Sequence, residues 1–147
     1  MPIDNCPFTL TIGGILRPLL SIRIINPHTN QSTLTYGIID TGADECAIPA
    51  VFAPLLGHNL QAGTVKQIST GNGLTVAYSH TTKFEIFHPN SGYLLYTLSD
   101  TPVDFLPNLH VVLLGVNNFL SRFILTINYP NKCFSIKKLP NARRTSF

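Results

Sequence analysis

The sequence predicts an all-β domain, and three observations support this fold class. Segments rich in Ile, Leu, Thr, Val, Phe and Tyr recur about every ten to fifteen residues. Gly, Pro and Asn separate these segments, and no internal repeat or low-complexity linker interrupts the pattern. A chain of 147 residues is also long enough to bury the core of one domain without disulfide bonds or a metal ion.

The first strands are predicted on both sides of a glycine pair. The segment "FTLTI", residues 8–12, is followed by Gly13 and Gly14, and "PLLSIRII", residues 18–25, comes next. The turn-forming sequence "NPHTNQ" then leads into "TLTYGIID", so these segments are expected to pair as hairpins. Asp40 falls at the end of the last of these strands.

The middle of the chain predicts a long hairpin. The segment "AVFAPLLG" is expected to form a short helical or irregular turn around Pro54. The segments "GTVKQIST" and "LTVAYSHTTKFEIF" then read as two paired strands, and their reversal is predicted at Gly71, Asn72 and Gly73. Residues 88–108, which contain two prolines, are predicted to be a long loop.

The last third of the chain predicts a buried strand, one short C-terminal helix and a closing hairpin. The apolar run "LHVVLLG" is the buried strand. The segment "VNNFLSRF" is the predicted helix, because apolar residues recur in it at helical spacing and Asn117 stands where a cap is needed. The segments "ILTINY" and "KCFSIKK" are predicted to pair as the final hairpin.

Charge and composition restrict the partners of the chain. Charged residues make up only 12% of the sequence and hydrophobic residues 44%, which leaves room for a surface that associates with a second copy. The net charge of +3 is concentrated near the C-terminus. Because this basic run is short and holds a single aromatic residue, it predicts a solvated tail, and no nucleic-acid partner is expected.

Cysteine and histidine spacing predicts neither disulfides nor a metal. Cys6, Cys46 and Cys133 are odd in number and far apart, which indicates reduced thiols and a cytoplasmic protein. The five histidines show no metal-ligand spacing, so no metal or other cofactor is expected. No apolar run approaches the roughly 20 residues that span a bilayer, so a soluble protein without a membrane partner is predicted.

The segment "YGIIDTGADECAIP", residues 36–49, carries the chemistry. An aspartate that ends a buried strand can present its carboxylate at the floor of a cleft. Gly42 permits a tight turn, Ala43 leaves space, and the Thr41 hydroxyl can form a hydrogen bond in apolar surroundings. An ordinary polar loop is the alternative interpretation, since Asp, Thr and Gly are common turn residues.

The order of the surrounding elements strengthens the first interpretation. The elements follow one another in a definite order. A strand at Ser21–Ile25 comes first and the strand that enters "DTGA" second; a glycine-tipped hairpin follows about thirty residues later, and "VVLLG" then precedes a helix. In this order the chain resembles the retropepsin-like aspartic proteases, the retroviral protease group. The resemblance implies a closed, β-barrel-like fold in a single domain, residues 1–147, with a core at about 18–136 and a basic tail at 137–147.

The resemblance also implies the roles of individual residues. It makes Asp40 the catalytic carboxylate, Thr41 the side chain that braces its counterpart in a partner subunit, and Gly42 a contact of the substrate backbone. The resemblance makes Ala43 and Asp44 substrate-binding residues of the same loop, and Gly71, Asn72 and Gly73 substrate-binding residues at the tip of a flap. It makes Leu113, Leu114 and Gly115 the strand that supports the loop. Ile39, Ile48 and Val112 are expected to line or support apolar pockets.

The chain departs from the family pattern in three places. The segment "FTLTIGGIL" adds an N-terminal hairpin, a Pro-containing loop precedes "TLTYGIID", and residues 88–108 lengthen the connection after the flap. These departures affect the termini, where dimer contacts are expected.

The number of such segments predicts the quaternary structure. Peptide hydrolysis by this route needs two carboxylates that share one proton. The sequence contains one "DTG", and the segment "SDTPVD", residues 99–104, has Pro102 in place of the glycine. The prediction is therefore a homodimeric aspartic endopeptidase whose two Asp40 carboxylates activate a water against a polypeptide substrate.

The sequence allows three alternatives to this function. A dimeric peptide-binding module of the same fold without catalysis is the main one, because a fold does not guarantee activity. A glycosidase-like pair formed with Asp44 and Glu45 is disfavoured, since neither residue stands on an independent strand. A serine or cysteine nucleophile is disfavoured because no nucleophile-elbow motif is present.

Overall fold

The computed structural model describes residues 2–70 and 73–138. This part of the chain is mostly β, with one α-helix of four residues, α1 (Phe52–Leu55), and two 3-10 turns, Leu60–Ala62 and Leu120–Arg122. The strands are β1 (Ile3–Pro7), β2 (Thr9–Leu10), β3 (Leu16–Arg17), β4 (Leu19–Ile25), β5 (Ser32–Ile39), β6 (Cys46–Pro49), β7 (Thr64–Thr70), β8 (Gly73–Phe87), β9 (Leu94–Leu106), β10 (Val112–Leu114), β11 (Ile124–Asn128) and β12 (Cys133–Lys137).

The strands form three sheets. The largest has seven strands in the order β4-β5-β10-β6-β9-β8-β7, and β4 also pairs with β8. A second sheet has the order β1-β12-β11, and β2 and β3 form a separate hairpin. Within the described residues, no helix has the length and apolar character needed to cross a membrane.

A short strand lies between the two strands that flank the "DTGA" segment. β10 runs parallel to β5, where Leu113 pairs with Ile38, and antiparallel to β6, where Leu113 pairs with Ala47. The loop that joins β5 to β6 must therefore pass around the end of β10. This topology places residues 40–45 beside Leu114 and Gly115.

The main core combines buried residues of the large sheet with buried residues of β1 and β12, and many of them alternate along their strands. β4 buries every second side chain and ends with two buried residues, as expected for a strand with one face toward the core. β6 is buried along its whole length. The largest fully buried side chains include Phe84, Phe105, Phe119 and Phe134.

The predicted C-terminal helix was wrong. Residues 116–123 contain only a 3-10 turn, and Asn118 has a positive φ of 63°. The amides of Val116 and Asn117 donate to the carbonyls of Ala43 and Asp44, so they are held by another part of the chain. The apolar spacing arises because Phe119 and Leu120 are buried in the core, and not because the segment forms one face of a helix.

The predicted loop at 88–108 was also largely wrong, because β9 occupies 13 of these positions. Pro102 is one of the prolines in this segment. It pairs with Thr81 of β8, whereas pairing with β6 starts only at Val103. On the β6 side, β9 therefore has no paired strand at Pro102. The N–H that proline lacks is not needed for a hydrogen bond between strands on that side.

Several local predictions are confirmed. β4 and β5 pair across the "NPHTNQ" turn, β7 and β8 form the long hairpin, and β11 and β12 form the closing hairpin. The turn around Pro54 is α1. β1, which precedes the first predicted strand, had no counterpart in the sequence analysis and pairs with β12.

Candidate active site

Asp40 is held at the end of β5 by backbone hydrogen bonds. Its amide donates to the carbonyl of Leu114 at 3.0 Å, which continues the pairing of β5 with β10 by one residue. Its carbonyl accepts from the amide of Ala43 at 3.2 Å, and its Oδ1 accepts from the amide of Gly42 at 3.0 Å. The half-buried carboxylate therefore has a fixed orientation, set by a turn of the Asx type.

The rest of the loop is held by the segment that follows β10. The carbonyl of Ala43 accepts from the amide of Val116 at 2.9 Å, and that of Asp44 accepts from the amide of Asn117 at 2.7 Å. The side-chain amide of Asn117 also donates to Oε1 of Glu45 at 3.2 Å. Asn117, predicted as a helix cap, thus binds the loop through both its backbone amide and its side chain.

Gly115 allows the loop and the β10 segment to approach closely. A β-carbon at this position would overlap the carbonyl oxygen of Glu45 and lie 2.9 Å from that of Ala43. The amide of Gly115 donates to Sγ of Cys46 at 3.4 Å. The sequence-predicted supporting strand is therefore packed directly on the predicted catalytic loop.

A pocket of about 630 Å³ opens beside Asp40. Ile39 and Val112 belong to its lining, as the sequence analysis expected, whereas Ile48 is fully buried in the core and does not line it. Leu113, predicted as part of the supporting strand, also lines the pocket. The other lining residues were not identified from the sequence: Thr11, Ile12, Arg17, Leu19, Thr35, Tyr36, Ile38, Phe52, His110 and Val111. Most of them lie in segments that the sequence predicted as strands, but no sequence pattern indicated which of these segments meet beside Asp40.

The predicted site residues fall into two groups. Those from Asp40 to Asp44 and from Leu113 to Gly115 lie together, and Thr41 is exposed at the loop surface. Gly73 lies at the start of β8 with a φ of 101°, and no residue of β7 or β8 that the structure describes lines the Asp40 pocket. The other two predicted flap residues, Gly71 and Asn72, lie outside the described residues.

Comparison with known proteins identifies the fold. No family model and no curated protein matches the sequence. Among solved structures, the chain is similar to the crystal structure of a retropepsin-like aspartic protease from Rickettsia conorii, with a TM-score of 0.64 and 18% sequence identity. The match covers 92% of this chain and 89% of the other. This chain therefore has the fold of the retropepsin-like aspartic proteases.

Proposed function

We propose that this chain is an aspartic endopeptidase that acts as a homodimer. The observation that carries the proposal is the position of Asp40, whose carboxylate is oriented by the Gly42 amide and borders a pocket of about 630 Å³. Turns of this type also occur in purely structural loops, so the place of Asp40 in the lining of a pocket, and not the turn itself, favours a catalytic role. The retropepsin-like fold supports the same conclusion.

The homodimer follows from the number of suitable carboxylates. Asp100 begins the only other segment that resembles "DTG", but Asp100 and Thr101 lie within β9, and Thr101 is fully buried. That segment offers no second oriented carboxylate to the Asp40 pocket. A second copy of the chain, related by a two-fold axis, supplies the second Asp40.

The paired carboxylates hydrolyse the peptide bond by proton transfer. One Asp40 is ionised and takes a proton from a water as the water oxygen attacks the scissile carbonyl carbon. The other Asp40 is protonated and gives its proton to the carbonyl oxygen, which forms a tetrahedral diol. The first Asp40, now protonated, then gives its proton to the amide nitrogen, and the other Asp40, now ionised, takes the proton of one diol hydroxyl as the carbonyl re-forms and the C–N bond breaks.

The neighbouring residues hold this arrangement and the substrate. Thr41 braces the loop against the same loop of the second copy, and Gly42, Ala43 and Asp44 face the substrate backbone. The β7–β8 hairpin is the flap, and an extended peptide lies between it and the loop, where strand-like hydrogen bonds can form. The pairing of β4 with both β5 and β8 supports a closed, barrel-like sheet beneath this cleft.

Cleavage of a peptide library by the purified protein across pH tests the proposal, with sedimentation measured in parallel. We expect Asp40→Asn to lower kcat/KM by at least about a thousandfold while the melting temperature and the dimer are retained. Asp100→Asn is the matched control, because Asp100 is exposed and its positive φ suits Asn. Binding of peptides without cleavage by the wild type would favour the non-catalytic module.

A further inference from the structure

The β2–β3 hairpin carries an unusual set of exposed apolar side chains. Leu10, Ile12, Ile15 and Leu16 are 64%, 104%, 50% and 42% exposed, so the tip residue Ile12 has no cover at all. Single exposed apolar residues are common on protein surfaces. Four of them on one short hairpin indicate a surface that contacts another molecule.

The hairpin is rigidly built, so the exposure of Ile12 does not come from a loose loop. The amide and the hydroxyl of Thr11 both donate to the carbonyl of Ile15, at 2.8 and 2.6 Å. The amide of Gly14 donates to the carbonyl of Thr11 at 3.0 Å. Gly13 and Gly14 have φ values of 96° and 78°, which glycine adopts without strain. The turn thus fixes Ile12 at the tip.

The hairpin also stands beside the predicted catalytic group. Thr11 and Ile12 line the same pocket as Asp40, and Val111, which is 44% exposed, lines it as well. Ile15 belongs to the same hairpin but does not line the pocket. Ile12 therefore projects from a wall of the pocket that contains Asp40, whereas Ile15 does not.

We propose that the β2–β3 hairpin determines specificity: Ile12 contacts the side chain of a substrate residue close to the scissile bond and selects a bulky apolar residue there. This inference rests on the proposed endopeptidase function. The occupant follows from the lining, since a peptide bound at Asp40 must pass through the pocket that Ile12 borders. The charged residues of the lining are Arg17 and Asp40, and the reaction uses Asp40, so no remaining carboxylate favours a basic side chain.

Peptides that differ at one residue test the inference. We would compare kcat/KM for Leu, Ala and Lys at the residue that enters the pocket, in the wild type, Ile12→Ala and Ile15→Ala. Loss of a few buried methyl groups in a binding pocket lowers discrimination by about tenfold or more. We expect Ile12→Ala to reduce the Leu-to-Ala ratio by about tenfold, and Ile15→Ala, the matched control, to leave it within about twofold.

A ratio between two peptides does not change when a variant is merely less stable, which separates specificity from folding. An unchanged ratio in Ile12→Ala would overturn the inference. An equal loss on every peptide, together with a shift of the sedimentation coefficient toward the monomer, would also overturn it and would assign the hairpin to the subunit interface.

A binding measurement separates this inference from the proposed function. Calorimetry with statine-containing peptides that carry Leu or Ala at the same position reports recognition without turnover. If the wild type cleaves nothing but binds the Leu peptide about tenfold more tightly through Ile12, catalysis is refuted, whereas selection of a bulky apolar side chain by Ile12 stands as a property of a peptide-binding site. Cleavage without any effect of Ile12 on either measurement refutes the inference alone.

Discussion

Gly115 packs directly against the carbonyl group of Glu45, so closely that a β-carbon on Gly115 would overlap the carbonyl oxygen. The contact joins the end of β10 to the loop that carries Asp40. The contacted atoms of Glu45 belong to the backbone, and hydrogen bonds from Val116 and Asn117 hold the two preceding residues. The contact therefore cannot be relieved by a shift such as the end of a flexible side chain allows. The position of the loop that carries Asp40 therefore depends on the absence of a side chain at residue 115.

We expect Gly115→Ala to displace the loop and to destabilise the fold by about 1–3 kcal/mol, the usual effect of overpacking. Cleavage should fall more than stability alone predicts, because Asp40 moves with the loop. Urea unfolding and kcat/KM measure the two effects. Gly92→Ala is the control: apart from its chain neighbours, no atom of the described residues lies within 4 Å of its would-be β-carbon, so only its φ of 74° opposes the change. Equal behaviour of the two variants would contradict the close-contact argument.

The ion pair between Lys66 and Asp104 should fasten the β7–β8 hairpin to β9. The Lys66 Nζ and the Asp104 Oδ1 are 2.9 Å apart, and the Asp104 side chain is only 8% exposed. Removing the lysine leaves a buried carboxylate without its partner. Because Lys66 itself is 40% exposed, we expect Lys66→Met to cost about 1–2 kcal/mol, less than the loss of a fully buried pair.

The pair of Arg23 and Glu85 provides the comparison for Lys66. These side chains are 3.8 Å apart and 39% and 18% exposed, so Arg23→Met should change the free energy of unfolding by no more than about 1 kcal/mol. Urea denaturation of the two variants at low and high salt measures the difference. A smaller effect for Lys66 than for Arg23 would show that the short pair does not anchor the hairpin.

Cys46 should resist thiol reagents in the native protein. Its side chain is fully buried, and burial raises the pKa of this thiol to about 12, although the hydrogen bond from the Gly115 amide acts in the opposite direction. The reactive thiolate is then only on the order of 10⁻⁴ of the population at pH 8. Iodoacetamide labelling followed by mass spectrometry should modify the partly exposed Cys133 well before Cys46.

Labelling in concentrated urea is the control for the cysteine experiment, because both thiols are then exposed and should react at similar rates. Fast labelling of Cys46 under native conditions would mean that the loop and β10 separate often. That result would contradict the tight packing between Gly115 and the loop that carries Asp40.

The position of Asp40 was predictable because its causes are local. Apolar residues lead the chain into β5, and Gly42 follows where a turn is needed, so the sequence near Asp40 contains the necessary information. The supporting strand was predictable for the same reason, since a short apolar run that ends in Gly115 indicates a buried strand. Local pattern and tertiary structure agree at these positions.

The errors arose where distant parts of the chain determine the structure. The amide of Val116 bonds to Ala43, more than seventy residues away, and this contact replaces the helix that the local spacing favoured. Pro102 is tolerated in β9 because the pairing of β9 with β6 begins one residue later, at Val103. The presence of Ile12 in the same pocket lining as residues 110–113 depends on how distant segments come together, which no local pattern reports.

His58 should make the protein less stable as the pH falls below neutrality. Its ring lies 4.6 Å from that of His80 and 5.4 Å from that of Phe105, between centroids. Its Nε2 is buried and has no hydrogen-bond partner within the part of the chain that the structure describes. Burial lowers the pKa of His58, and the nearby His80 and His28 lower this pKa further.

The sign of the effect follows from proton binding. The ordinary pKa is 6.5, and the folded protein holds this imidazole neutral to a lower pH than the unfolded chain does. Unfolding therefore takes up a proton in this range, so the contribution of His58 to stability is retained above pH 6.5 and is lost as the pH falls through the folded pKa. Melting temperatures between pH 7.5 and 5 should decline in the wild type.

His58→Phe removes the titrating group and keeps an aromatic ring against Phe105, so its melting temperature should decline less over the same pH range. His110→Asn is the control, because His110 is exposed and its replacement should leave the slope of the wild type unchanged. Carboxylates contribute to the decline of the melting temperature in both variants. The difference between the two declines therefore reports the contribution of His58 alone. If His58→Phe and His110→Asn lose stability in parallel, the buried imidazole is not the source of the acid sensitivity.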